Sequence, residues 1–179
     1  IIIPRASSNE NMYIKVYKCI YIGYASGQKY YNGNDYYRGG PSNMLCLPNN
    51  PELDNVTAGG NSFLYGSEYD DSKFGSNSFD QDVPCALCLS HNSSTTVMIP
   101  GRKTCYAGWK LEYNGVLASG ASNHAASSYI CVDMHPEYIP GGRQDNNDHT
   151  LFTTGYKCGS LPCPPYNDDV QAYCVVCSK

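Results

Sequence analysis

Cys46-Leu47-Pro48-Asn49-Asn50-Pro51-Glu52 returns 85 residues later as Cys131-Val132-Asp133-Met134-His135-Pro136-Glu137. Both copies are followed by a glycine pair, Gly59-Gly60 and Gly141-Gly142. Upstream, Tyr21-x-Gly23 with Ala25-Ser26-Gly27 matches Tyr113-x-Gly115 with Ala118-Ser119-Gly120. Downstream, Leu64-Tyr65 with Tyr69 matches Leu151-Phe152 with Tyr156, and each series closes on a Cys-x-x-Cys pair, Cys85/Cys88 and Cys174/Cys177. Features that recur in one order at nearly constant spacing are the signature of an internal repeat. The expectation is two pseudo-symmetric halves, residues 12–90 and 94–179, preceded by an N-terminal arm, residues 1–11.

Within this frame the local signal is β. Trp109, Leu111 and Tyr113 alternate with Gly108, Lys110 and Glu112, and Tyr13 to Tyr17 alternate likewise, the period of a half-buried strand. Val97-Met98-Ile99, Ser128 to Val132 and Ala172 to Val176 read as further strands stopped by Pro, Gly, Asn and Ser. The fold class expected is all-β and disulfide-rich, with long loops.

The chain has 179 residues, of which only 16% are charged, with 17 Tyr, 17 Gly, 11 Pro and 10 Cys. Twelve Lys and Arg stand against 16 Asp and Glu, a formal charge of −4 with no basic run, so nucleic acid and anionic membrane are not expected as main partners. No apolar stretch approaches the roughly 20 residues that span a bilayer, and no signal-like segment opens the chain, which is read as mature and soluble. An even number of cysteines, Cys19, Cys46, Cys85, Cys88, Cys105, Cys131, Cys158, Cys163, Cys174 and Cys177, points to disulfides and a secreted, extracellular protein. The two Cys-x-x-Cys pairs lie 89 residues apart, too far for the usual structural zinc site. Cys158 and Cys163 are close enough to form a local loop. Asn55-Val56-Thr57 and Asn92-Ser93-Ser94 are glycosylation acceptors.

A feature that one half has and the other lacks is not required by the shared framework, which makes it a candidate for function. Eighteen residues separate Gly27 from Cys46, but only ten separate Gly120 from Cys131. The longer loop holds Tyr30, Tyr31, Asn34, Asp35, Tyr36, Tyr37 and Arg38. Aromatic faces pack on the C–H patches of a sugar ring, and amide, carboxylate and guanidinium groups match vicinal hydroxyls. Antibody paratopes draw on a similar set of residues. In the second half, Asp145, Asn147 and Asp148 bring hard oxygen donors together, so calcium was weighed; the spacing fails the EF-hand pattern, and no cofactor is expected. His91, His124, His135 and His149 stand outside any hydrolase, zinc-protease or nucleotide-loop motif, and Ser122 near His124 lacks an orienting acid, so no enzyme is expected.

The strings Ser42 to Pro48, Asp82 to Cys88, Met98 to Cys105 and Cys158 to Tyr166 carry a resemblance that covers the chain from about Tyr21 to Cys177. They resemble the C-terminal non-collagenous domain of the invertebrate spongin-like short-chain collagens and related secreted sponge proteins. The first half departs from that pattern, because the Arg-x-x-Cys entry seen as Arg102 to Cys105 is replaced by Tyr17-Lys18-Cys19. With no Gly-x-y tract the chain is expected to be a free-standing or processed module. The resemblance implies an extracellular-matrix or secreted recognition role, by analogy a sponge lectin. The resulting expectation is a lectin-like protein that binds glycans or glycoproteins. The alternative is a matrix assembly module that contacts matrix proteins or further copies of itself.

Overall fold

The computed structural model describes residues 17–29, 42–52, 64–90, 92–121, 124–146, 148–156 and 158–179. Among them the chain is almost entirely β, with one short 3-10 turn at Ser72–Phe74. No described helix is long and apolar enough to cross a membrane. The strands are β1 (Tyr17–Gly27), β2 (Leu45–Pro48), β3 (Tyr65–Tyr69), β4 (Gln81–Asp82), β5 (Pro84–Ser90), β6 (Thr96–Pro100), β7 (Lys110–Ser119), β8 (Ile130–Asp133), β9 (His149–Thr153) and β10 (Tyr173–Ser178). The four expected strands at 97–99, 109–113, 128–132 and 172–176 fall in β6, β7, β8 and β10. Residues 13–16 of the fifth lie outside the described residues, as does the N-terminal arm.

Two long strands act as hubs of one curled sheet ordered β2-β1-β3-β9-β7-β10-β6. β1 pairs antiparallel with β2, β5 and, at its C-terminal end, β3. β7 pairs antiparallel with β8, β10 and, again at its C-terminal end, β9. The registers correspond: Ala25 opposes Cys46 and Gly23 opposes Cys85, while Leu117 opposes Cys131 and Gly115 opposes Cys174.

These pairings account for the recurring Tyr-x-Gly. The Tyr21 hydroxyl donates to the Cys46 carbonyl at 2.8 Å, and the Tyr113 hydroxyl donates to the Cys131 carbonyl at 3.0 Å. Two residues on, a Cβ at Gly23 would lie 1.7 Å from the Leu47 carbonyl oxygen, and one at Gly115 would lie 1.8 Å from that of Val132. Only glycine lets β2 and β8 approach their hubs this closely.

All ten cysteines are paired. Cys46–Cys85 and Cys131–Cys174 each reach across a hub, joining the strands on its two sides. Cys19–Cys88 links β1 to β5, Cys105–Cys177 ties the loop after β6 to β10, and Cys158–Cys163 closes the expected local loop. No cysteine is left for zinc, and such a density of bridges is characteristic of extracellular proteins.

The hubs meet through β3 and β9, which run parallel with Ser67, Glu68 and Tyr69 opposite His149, Thr150 and Leu151. A core of Ala25, Tyr69, Val83, Ala118, Val132 and Leu151 spans the junction. Tyr69, fully buried, packs its ring 4.8 Å from Phe74 and edge-on to Tyr138 at 5.8 Å.

Gly115→Ala is expected to destabilise the protein by about 2 to 3 kcal/mol, because its methyl must part β7 from β8. Gly66→Ala, with no atom within 4 Å of the new Cβ, should change stability by less than about 0.5 kcal/mol in the same urea-unfolding measurement.

Candidate functional site

Above the β3–β9 junction lies a cavity of about 230 Å³, edged by Tyr24, Ser67, Glu68, Asp82, Asn146 and Asp148. It draws its walls from residues on either side of the junction. Strand β1 supplies Tyr24, β3 supplies Ser67 and Glu68, β4 supplies Asp82, and the segment leading into β9 supplies Asn146 and Asp148.

Glu68 is the pin that holds the far wall. It is 4% exposed on β3, and its carboxylate accepts the backbone N–H of Asp148 at 2.8 Å and that of Asn146 at 3.3 Å. Burial raises its pKa while these two N–H donors oppose the rise. His149, one residue further, is 1% exposed and lies against Gly27, where a Cβ would be 2.4 Å from its Cε1. Its Nδ1 is 2.8 Å from the Gln28 carbonyl oxygen, which fixes Nδ1 as the protonated nitrogen. Burial pushes this imidazole below its ordinary range, and the hydrogen bond to Gln28 opposes that shift.

The rim is charged. Lys29 Nζ lies 3.0 Å from Asp148 Oδ1 and 5.7 Å from the centroid of the Tyr65 ring. The Asp82 side chain sits so close to Gly142 that a Cβ there would be 2.2 Å from its Oδ2. Burial and the Asp148 charge push the Asp82 carboxyl up. The Ser67 hydroxyl is buried with no hydrogen-bond partner among the described residues. Such a hydroxyl costs about 1 to 3 kcal/mol when nothing meets it.

The site expected from sequence is placed only in part. Tyr30, Tyr31, Asn34, Asp35, Tyr36, Tyr37 and Arg38 lie outside the described residues, as do Asn55, His91, Ser122 and Asn147. Lys29, the last described residue before that loop, pairs with Asp148, which lines the cavity. Asp145 is exposed and Asp148 is engaged by Lys29. Among the described residues no group of three or more His, Cys, Asp or Glu side chains is arranged to hold a metal. His124 is half-buried with its ring edge-on to Phe152, and Asn92 is exposed.

Glu68, Asp82, Tyr24 and Asn146 were not legible as a group. Glu68 and its two N–H partners are 78 and 80 residues apart in the chain, and the one local hint was a carboxylate inside the short repeat element Leu64 to Tyr69. Comparison with protein-family models, curated proteins and solved structures gave no match.

The depressed pKa of His149 carries a pH dependence. Its folded-state value lies below the unfolded value of about 6.5, so its contribution is full above that pH and is lost as pH falls through it. The raised carboxyls of Glu68 and Asp82 act in the opposite sense, gaining stability as pH falls. The difference between the two chains at each pH isolates the imidazole. In urea titrations between pH 7 and 5, the midpoint of the wild type should fall more steeply than that of His149→Gln.

Proposed function

We propose that this is a secreted glycan-recognition protein without catalysis, in which the cavity above the β3–β9 junction takes one sugar unit and the loop at residues 30–38 extends the contact. The observation that carries this reading is the convergence of an exposed tyrosine face, Tyr24, with the side chains of Asp82, Asn146 and Asp148 around one small cavity. Stacking on the ring face and hydrogen bonds from carboxylate and amide are what a pyranose requires. At about 230 Å³ the cavity is smaller than the usual ~300–1,000 Å³ pockets of drug-sized ligands and fits a single ring better than a cofactor. The groups that might have served as acid and base, Glu68 and His149, are both spent on holding backbone, which favours binding over chemistry. Five disulfides and the resemblance to secreted sponge matrix proteins support an extracellular setting.

A glycan array with the native protein tests this reading. Binding to a restricted set of neutral glycans is expected, and Tyr24→Ala or Asp82→Asn should weaken it at least tenfold while far-UV circular dichroism stays unchanged. Asp35→Ala and Tyr36→Ala should weaken it less. Silence across the array, or binding indifferent to all four changes, would remove the proposal.

A second reading, matrix assembly, is favoured by the edge of β5. Among the described residues β5 pairs with β1 alone, whereas its counterpart β10 is flanked by both β7 and β6. Seven residues of strand carrying the exposed Leu87 and Leu89 form an edge to which a strand from another copy could add. If it does, the sedimentation coefficient should rise with concentration, and Leu87→Lys with Leu89→Lys should hold the protein monomeric.

A further inference from the structure

Three of the twelve cationic residues, Arg102, Lys103 and Lys179, are brought together by the fold along one face of β10, while Lys110 turns to the other face with Ser178 and Glu112. The Cys105–Cys177 bridge pins the loop between β6 and β7 to β10. At the start of β10, Lys103 Nζ lies 3.7 Å from the centroid of the Tyr173 ring. At its far end Lys110 is opposite Ser178 in the ladder with β7, next to Lys179. Lys179 Nζ in turn lies 6.0 Å from the Trp109 ring. The Arg102 guanidinium sits 4.1 Å over the exposed Tyr106 ring, and its Nε donates to the Thr104 carbonyl at 3.0 Å. On that other face Glu112 is an interior counter-charge to Lys110: its side chain is 1% exposed, 3.2 Å from Lys110 Nζ, and accepts the Ser178 hydroxyl.

We propose that this stripe binds a sulfated polysaccharide, a site separate from the neutral-glycan cavity and independent of it. From Tyr173 to Lys179 an extended chain covers roughly 20 Å at ~3.3 Å per residue, so the cations lie in a row and do not converge. A row suits a linear polyanion better than a single phosphate or one acidic sugar. Guanidinium and ammonium groups supply charge-assisted hydrogen bonds to sulfate oxygens, and the interleaved Tyr106, Trp109 and Tyr173 offer faces to the pyranose rings between sulfates. Anchoring by the disulfide and by ring contacts means that little side-chain freedom remains to be lost on binding. The oxidising surroundings implied by five disulfides make sulfated glycan, not nucleic acid, the polyanion present. The acidic junction at β3 and β9 lies on the other side of β7 in the sheet order, so it repels the same ligand and confines it to the β10 side.

Immobilised heparin, with duplex DNA and unsulfated hyaluronan as companion matrices, tests the proposal on the folded wild-type protein. Retention on heparin at 0.15 M NaCl is expected, with release at higher salt and a log–log salt slope corresponding to about two or three neutralised charges. Arg102→Ala with Lys103→Ala should lower heparin affinity at least tenfold, whereas Lys73→Ala, an exposed cation elsewhere, should not change it. Asp82→Asn should leave heparin binding intact while weakening neutral-glycan binding, which separates failure of this site from failure of the cavity. Passage of the wild type through heparin at 0.15 M NaCl would overturn the proposal. So would retention that the double variant does not alter, or equal retention on DNA or hyaluronan.

Discussion

The two hubs are joined by a three-residue parallel ladder, Ser67 to Tyr69 against His149 to Leu151, and by bonds around it, among them Asp82 N–H to the Gly142 carbonyl, Ile139 N–H to the Asp82 carbonyl and Ser128 to the Ser42 carbonyl. Three pairs of backbone hydrogen-bonding groups are a slender join, so burial and side-chain hydrogen bonds must reinforce it. Glu68 does this from within by collecting two N–H groups of the approaching segment. Asp71 does it from the next turn, where one carboxylate oxygen accepts both the N–H and the hydroxyl of Thr153 while the other caps the 3-10 turn at Lys73. Each carboxylate bonds backbone that the ladder leaves without a strand partner. Charged acceptors are chosen here because such hydrogen bonds are worth about 1.5 to 3 kcal/mol, roughly twice a neutral one.

This division explains what could be read in advance. The repeated strings were legible because each encodes a short-range device: a tyrosine that hydrogen-bonds a cysteine carbonyl, a glycine that lets strands close, and a cysteine that bridges a hub. Strands β3 and β9 were not legible as strands. Their sequences, Tyr-Gly-Ser-Glu-Tyr and His-Thr-Leu-Phe-Thr, place buried polar residues where alternation would put apolar ones, and two of them, Glu68 and His149, are satisfied by partners far along the chain. The cluster Arg143 to His149 illustrates the same limit. In sequence it is a polar run suited to solvent or calcium. In the fold Asp148 is drawn to Lys29, His149 to the Gln28 carbonyl, and two of its N–H groups to Glu68.

The formal charge of −4 likewise conceals an arrangement. Glu68, Asp82, Asp145 and Asp148 gather at the junction, where mutual repulsion adds to burial in pushing Glu68 and Asp82 up. The stripe along β10 has the opposite sign. Averaging the two gives a chain that looks unsuited to polyanions, although one side of its sheet is built from cations and rings.

Corresponding positions on the two hubs meet different surroundings. Tyr24 on β1 matches Val116 on β7 in register, yet Tyr24 is 46% exposed and Val116 only 5%. Ile22 and Leu45 are exposed beside it, whereas Val132 on the equivalent face of the β7 hub is buried; Ala86 and its counterpart Val175 are covered in both hubs. An apolar face that serves only packing would be covered in both hubs, because each exposed residue forfeits about 25 cal/mol per Å² of burial. The β1 hub instead keeps Tyr24, Ile22 and Leu45 outward, with Tyr24 at the cavity. The enclosed core draws on both hubs, and the β1 hub in addition leaves apolar side chains open to solvent.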